Sequence, residues 1–121
     1  MTKIEILKKR KDFVRVAKGF TAVMPTVILQ AAQSLCAENS APKVGYTTSK
    51  KIGKAHIRNK ARRRMRAAVA EVFSKYAMDN FEYVLVGRYN TSYCPFDTLK
   101  QNLIRGLKAA KKEFQNNAKP L

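Results

Sequence analysis

Half of the residues from Ser49 to Arg66 carry one chemistry. Nine are Lys or Arg, and no Asp or Glu stands between Glu38 and Glu71. Cations packed this densely repel one another, so a fold that holds them gains from a polyanion that neutralises them. Each phosphate neutralised releases condensed counterions, which gives affinity and a steep salt dependence. Most charge runs are simply solvated faces. Solubility alone does not call for a one-signed block in a chain of net charge +17, and nucleic acid is the partner that this block implies.

The residues that could break bonds are sparse. His56 is the only histidine, and the eight acids are scattered, so neither a paired-carboxylate acid/base site nor a carboxylate metal cage is expected. Gly45, Gly53 and Gly87 fit turns and strands, and none belongs to a phosphate-binding loop. Cys36 and Cys94 have no CxxC or Cys/His spacing; they read as small buried or incidental thiols in a reducing compartment. Catalytic and metal-ligating residues are expected to be absent. The chain either only binds RNA or works beside another molecule that supplies the chemistry.

The basic block needs elements to hold it. Ile57, Ala61, Met65, Val69, Val72 and Phe73 recur at helical spacing and predict a long helix from Ile57 to Tyr76. Arg58, Arg62 and Arg66 lie at i, i+4 and i+8 on a different face, with Lys60, Arg63 and Arg64 widening the row. Cations at a helix N-terminus oppose the macrodipole, whereas arginines and free backbone N–H groups together form an anion site. Before it, Lys43 to Ser49 alternates, with Val44, Tyr46 and Thr48 on one face, and predicts a strand.

Elsewhere, Phe13, Val16, Ala17 and Phe20 predict a first helix over residues 9–18, with Gly19 at its C′ position and Lys11, Arg15 and Lys18 on the other side. Thr26 to Ala31 and Phe81 to Arg88 read as strands. Glu38 to Pro42 has turn composition. Pro95 and Asp97 open a last helix with Leu99, Leu103, Leu107, Ala110 and Phe114 facing inward, and a frayed tail is expected from Asn116. These elements predict one domain over residues 1–121: an α/β (α+β) sandwich in which three to four helices pack on a small, mostly antiparallel four-stranded sheet.

Gly19 to Ala37 carries no charge, but Thr21, Pro25, Thr26, Gln30, Gln33 and Ser34 interrupt it. It makes a poor membrane span, and Glu5, Asp12 and Lys18 do not fit a signal peptide. A cytoplasmic protein is expected.

The run from Val44 to Arg66, with its glycine-containing strand, its Ser49-Lys50-Lys51 turn and Arg58-Asn59-Lys60 leading into a basic helix, resembles the signature of the bacterial ribonuclease P protein subunit. Phe13 and the strand from Tyr83 to Arg88 extend the resemblance over nearly the whole chain. The resemblance implies a ribosomal-protein-S5-domain-2-like fold and a division of labour. A catalytic RNA, with magnesium bound mainly by that RNA and the substrate, cleaves precursor tRNA at the mature 5′ end. The protein binds the RNA through its basic helix and the 5′ leader in a cleft between the first helix and the sheet.

On that reading Lys50, Lys51, Lys54, Arg58, Asn59, Lys60, Arg62, Arg63 and Arg66 contact the catalytic RNA, lysines as mobile point charges and arginines as forked donors. Asn59 is equally suited to cap the helix. The leader positions are Phe13, Ala17, Lys18, Gln30, Ser49 and Arg88; Phe13 either stacks on a base or belongs to the core. Ala17 and Gln30 stand where relatives carry aromatic rings, and Lys60 where the motif has its second arginine. A ribosomal protein shares the composition but not the ordered signature. A DNA-binding regulator lacks the helix and tight turn expected before its recognition helix. A standalone protein nuclease lacks the carboxylates.

Overall fold

The computed structural model describes residues 5–35 and 41–118. In chain order it runs β1 (Glu5–Ile6), α1 (Arg10–Ala17), β2 (Phe20–Val23), β3 (Val27–Gln33), β4 (Lys43–Thr47), a single 3-10 turn (Lys50–Ile52), α2 (Ala55–Tyr76), β5 (Phe81–Gly87) and α3 (Phe96–Ala118). The strands form one sheet in the order β1-β4-β5-β3-β2. β5 is central and is buried from Glu82 to Leu85, which matches its near-continuous apolar run.

The sandwich architecture is as the sequence predicts, with two corrections to the sheet. It has five strands among the described residues rather than four, because β1 and β2 join the three strands read from the sequence. It is also mixed rather than mostly antiparallel, because β1–β4 and β4–β5 are parallel while β5–β3 and β3–β2 are antiparallel. A two-residue strand such as β1 has no periodicity to read. β2 lies within the uncharged run around Pro25, where alternation is weak.

The two faces of the sheet bury different partners. Val27, Leu29, Ala31, Val44, Tyr83 and Leu85 pack against Met65, Val69, Val72 and Phe73 of α2 and Leu99, Leu103 and Leu107 of α3. The smaller cluster of Leu7, Val16 and Val84, with Phe13, Ala32 and Val86, seats α1 on the opposite face. The α2 stripe is therefore core, as its spacing predicts, and Ala68 joins it. Burying these aliphatic and aromatic side chains contributes about 1.5–3 kcal/mol each before conformational entropy is counted.

Several local expectations change. Gly19 is not a left-handed C′ residue, because the only glycine with positive φ among the described residues is Gly53. Gly19 is instead forced by contact, since a Cβ there would drive into the Ala31 carbonyl oxygen. Phe20 leaves the α1 stripe to begin β2 and meets Phe114 edge-on at 6.4 Å, and Ala17 is exposed. Arg15 does not face solvent freely: it pairs with the buried carboxylate of Glu82 and bonds the Gln33 carbonyl at 2.9 Å. α3 continues through Asn116 and Asn117 to Ala118, where the tail is expected to fray. Cys94 is a buried free thiol; Cys36 and the turn residues Glu38 to Ser40 lie outside the described residues.

Tyr83 gives the core a pH dependence. It is fully buried, its hydroxyl oxygen accepts the Met78 N–H at 2.9 Å, and burial is the main reason its pKa rises from 10.0 to about 12. An unfolded tyrosine ionises near 10, so the native state holds a proton that the unfolded chain releases. Stability should thus be unaffected by this group below pH 10 and fall as pH rises from 10 to 12. At about 1.4 kcal/mol per pH unit, the loss approaches 3 kcal/mol. Urea unfolding across that window checks it: Tyr83→Phe should flatten the decline, although losing the acceptor for Met78 costs about 1 kcal/mol at neutral pH.

Candidate nucleic-acid interface

The basic block is carried at one end of the sheet. β4 ends at Thr47, the 3-10 turn presents Lys50 and Lys51 to solvent, and Gly53 at φ 144° turns the chain into α2. Lys54, at the N-cap, supplies no side-chain acceptor, and the first turn of α2 holds no acid. Helix N–H groups and cations therefore converge without an anionic side chain between them, as an anion site requires.

The arginine row lies along the flank of α2 that faces β4. Arg62 bridges the two elements: one guanidinium nitrogen donates to Thr48 Oγ1 at 2.7 Å and another to Asn59 Oδ1. Asn59, five residues into the helix, thus aligns Arg62 and does not cap α2. Arg66 lies 5.6 Å above the Tyr46 ring, and Arg58 is half-buried. Lys60 and Arg63 are exposed on the outer face. Arg64 leaves the row altogether; it turns toward α3, bonds the Cys94 carbonyl and sits 5.9 Å from the Phe96 ring centre. His56 is exposed.

A second feature opens on the α1 face. A cleft of about 600 Å³ is lined by side chains from α1, β3, β4 and β5, including Phe13, Ala17, Gln30 and Val86. Phe13 is half-buried, between core and cleft. Half of it packs with the Leu7–Val16–Val84 cluster while the rest lines the cleft. Its ring also explains Gly45, because a Cβ at that position would stand 2.5 Å from the Phe13 ring.

Three other expected leader residues do not line this cleft. Lys18 is exposed at the end of α1, Ser49 is exposed at the start of the 3-10 turn, and Arg88 is half-buried with Nη1 donating to the Met24 carbonyl at 3.0 Å. Sequence reasoning missed Lys8 and Arg10, which bring cations to the cleft, and Tyr46. Strand alternation put Tyr46 on one face with Val44 and Thr48; its ring packs on the α2 side, under Arg66, and the residue also borders the cleft. Burial raises the Tyr46 pKa to about 12 against the opposing charge of Arg66, so it remains a neutral phenol at ordinary pH. Among the described residues no three His, Cys, Asp or Glu side chains gather to hold a metal ion, and no helix is long and apolar enough to cross a membrane.

The sequence profile of the family described as Ribonuclease P matches residues 1–111. The chain belongs to the ribonuclease P protein family. Among its relatives, the ribonuclease P protein component of Paramagnetospirillum magneticum is 43% identical over 111 residues, covering 88% of this chain and 82% of that protein. That of Ruegeria pomeroyi is 37% identical over 106 residues, with 87% and 85% covered. The fold agrees with the RNase P proteins of Staphylococcus aureus, at a TM-score of 0.72, 24% identity and coverage of 90% and 97%, and of Thermotoga maritima, at 0.72, 23%, 87% and 96%. Membership places the chain in tRNA processing as part of a ribonuclease ribonucleoprotein. Against the ribonuclease P pattern, Ala17 and Gln30 line the cleft without rings, and Lys60 keeps its charge on the exposed face of α2.

Proposed function

We propose that this ribonuclease P protein binds the catalytic RNA through the basic end of α2 and the unpaired 5′ leader of precursor tRNA through the α1 cleft. The RNA then removes the leader. The observation that carries this reading is the juxtaposition of a one-signed cationic helix end with a separate cleft lined by Phe13, Lys8 and Arg10. Among the described residues no cluster of carboxylates, imidazoles or thiols fits a metal cage. Magnesium, held mainly by the RNA and the substrate, supplies the activated water and the charge stabilisation for phosphodiester hydrolysis. The protein acts as one domain over residues 1–121, in the cytoplasm.

Its contribution is charge and position. Lys50, Lys51 and Lys54 screen phosphate repulsion between the two RNAs, and the arginines of α2 fix their registry by forked hydrogen bonds. In the cleft, the Phe13 ring holds a leader base while Lys8 and Arg10 neutralise the backbone. Rigorously RNA-free protein should leave precursor tRNA intact, whereas adding it to the catalytic RNA should lower the magnesium needed for cleavage. Single-turnover assays across magnesium concentration test this. Robust cleavage by the protein alone overturns it.

A further inference from the structure

α2 and α3 lie side by side on the sheet face opposite the cleft, and the seam between them carries cations held in an unusual way. Arg64 and Lys100 both stand over Phe96, at 5.9 and 5.5 Å from the ring centre, and Lys108 stands 5.5 Å from the centre of Tyr76. Lys100 to Lys108 spans about 12 Å at 1.5 Å per residue, and Lys111 follows one turn later on the same flank. The acids nearby are few: Glu71 pairs with Lys100 at 3.0 Å, Asp97 lies in the first turn of α3, and Glu113 falls on a different flank by helical spacing.

A carboxylate partner orients a cation and also cancels its charge. A ring face attracts the cation through its quadrupole, restrains the long side chain and leaves the charge and most N–H donors available. A seam built this way is preorganised for an external anion. Its rings are half-buried beneath the cations, so the seam offers no open aromatic face on which an unpaired base could stack. What it offers is a straight row of positive charge, which suits the phosphates bordering a groove of double-helical RNA, recognised by shape and backbone.

We infer that the α2–α3 seam, through Arg64, Lys108 and Lys111, is a second docking surface that takes a double-helical segment of the catalytic RNA. The inference rests on the proposed function. It adds that the protein grips the RNA along the length of the helical layer as well as at the N-terminal end of α2. With the cleft on the other face of the sheet, leader and RNA helix are held at once, and the protein works as a spacer between them.

The test uses the full chain and the ribonuclease P RNA of the same genome. Lys108→Gln/Lys111→Gln should weaken binding by up to about eightfold per lost phosphate contact at 0.1 M salt, and flatten the log–log salt slope by about 0.9 for each. Lys108→Arg/Lys111→Arg should keep both. Backbone footprinting should show the Gln variant losing protection over one RNA helix while protection elsewhere stays. Unchanged melting temperature separates this from misfolding. If the wild-type chain binds and the Gln variant has the same slope, the seam is only solvated and the inference is overturned. A defect confined to binding of precursor or mature tRNA overturns the choice of catalytic RNA as occupant. A wild-type chain that does not bind this RNA at all sinks the functional reading, and the seam with it.

Discussion

Replacing Arg58, Arg62 and Arg66 together by glutamine is expected to weaken binding of the catalytic RNA by up to about 500-fold at 0.1 M salt, if each engages one phosphate. The log–log salt slope should flatten by about 2.7 in total, at about 0.9 per contact. The three are not equivalent. Arg66 is exposed, so Arg66→Gln should change RNA affinity while leaving unfolding nearly untouched. Arg62 ties α2 to Thr48 and Asn59, so Arg62→Gln should also cost about 1–3 kcal/mol of stability from the lost charge-assisted bonds. Met65→Ala provides the converse. Met65 is fully buried in the α2 stripe, and its truncation should cost about 2–5 kcal/mol with the salt slope of the folded fraction unchanged. Filter binding at several salt concentrations, paired with urea unfolding, reads both quantities. Equal slopes for wild type and the triple variant would remove this row from the interface.

The contrast between Arg62 and Arg66 matters for how the interface works. An arginine side chain left free in solvent must be ordered when it binds, at an entropic cost of up to about 2 kcal/mol. Arg62 is already ordered by Thr48 and Asn59, and Arg66 is restrained by Tyr46. Donors unused by these contacts remain to meet phosphate. In the proposed interface Asn59 acts through Arg62, a role that neither a helix cap nor a direct contact would have suggested.

How much of this was readable beforehand follows from period and length. The α2 stripe repeats over seventeen residues, from Ile57 to Phe73, and the α3 stripe from Leu99 to Phe114; both emerge in the structure facing inward, apart from a half-buried Ile57 at the start of α2. The central strand is equally plain because its apolar run is long. β1 has only two residues and β2 four; neither is long enough for alternation to outweigh local noise. Phe13, Ala17 and Gln30, far apart in sequence, line one cleft, a grouping that came from the resemblance and not from any local pattern. Lys8, Arg10 and Tyr46 escaped because their places depend on tertiary packing, with α1 lying across β3, β4 and β5. Arg64 was misassigned for a related reason. Helical spacing gives a direction, but the carbonyl of Cys94 and the ring of Phe96 decide where a long side chain goes.

Phe13→Ala should reduce holoenzyme affinity for precursor tRNA with its leader by about 5- to 150-fold, the equivalent of 1–3 kcal/mol for one base stack, and leave mature tRNA binding nearly unchanged. The residue is also packed against the Leu7–Val16–Val84 cluster, so the same change should lower stability by up to about 3–5 kcal/mol. Phe13→Leu separates the two effects: it retains much of the buried volume but has no ring for stacking. It should therefore remain well folded and still lose leader affinity. Because Ala17 and Gln30 offer no rings, the remaining leader affinity should fall on Lys8 and Arg10, and so be more salt-sensitive than in relatives with aromatics there. Ala17 is exposed at the cleft, which gives Ala17→Phe room to add a stacking surface without disturbing the core. Its expected result is tighter binding of leader-bearing substrate with a lower salt dependence. The decisive comparison is the ratio of affinities for precursor and mature tRNA in each variant. If Phe13→Leu leaves that ratio at the wild-type value while the fold is intact, the ring belongs to the core alone and the leader lies elsewhere.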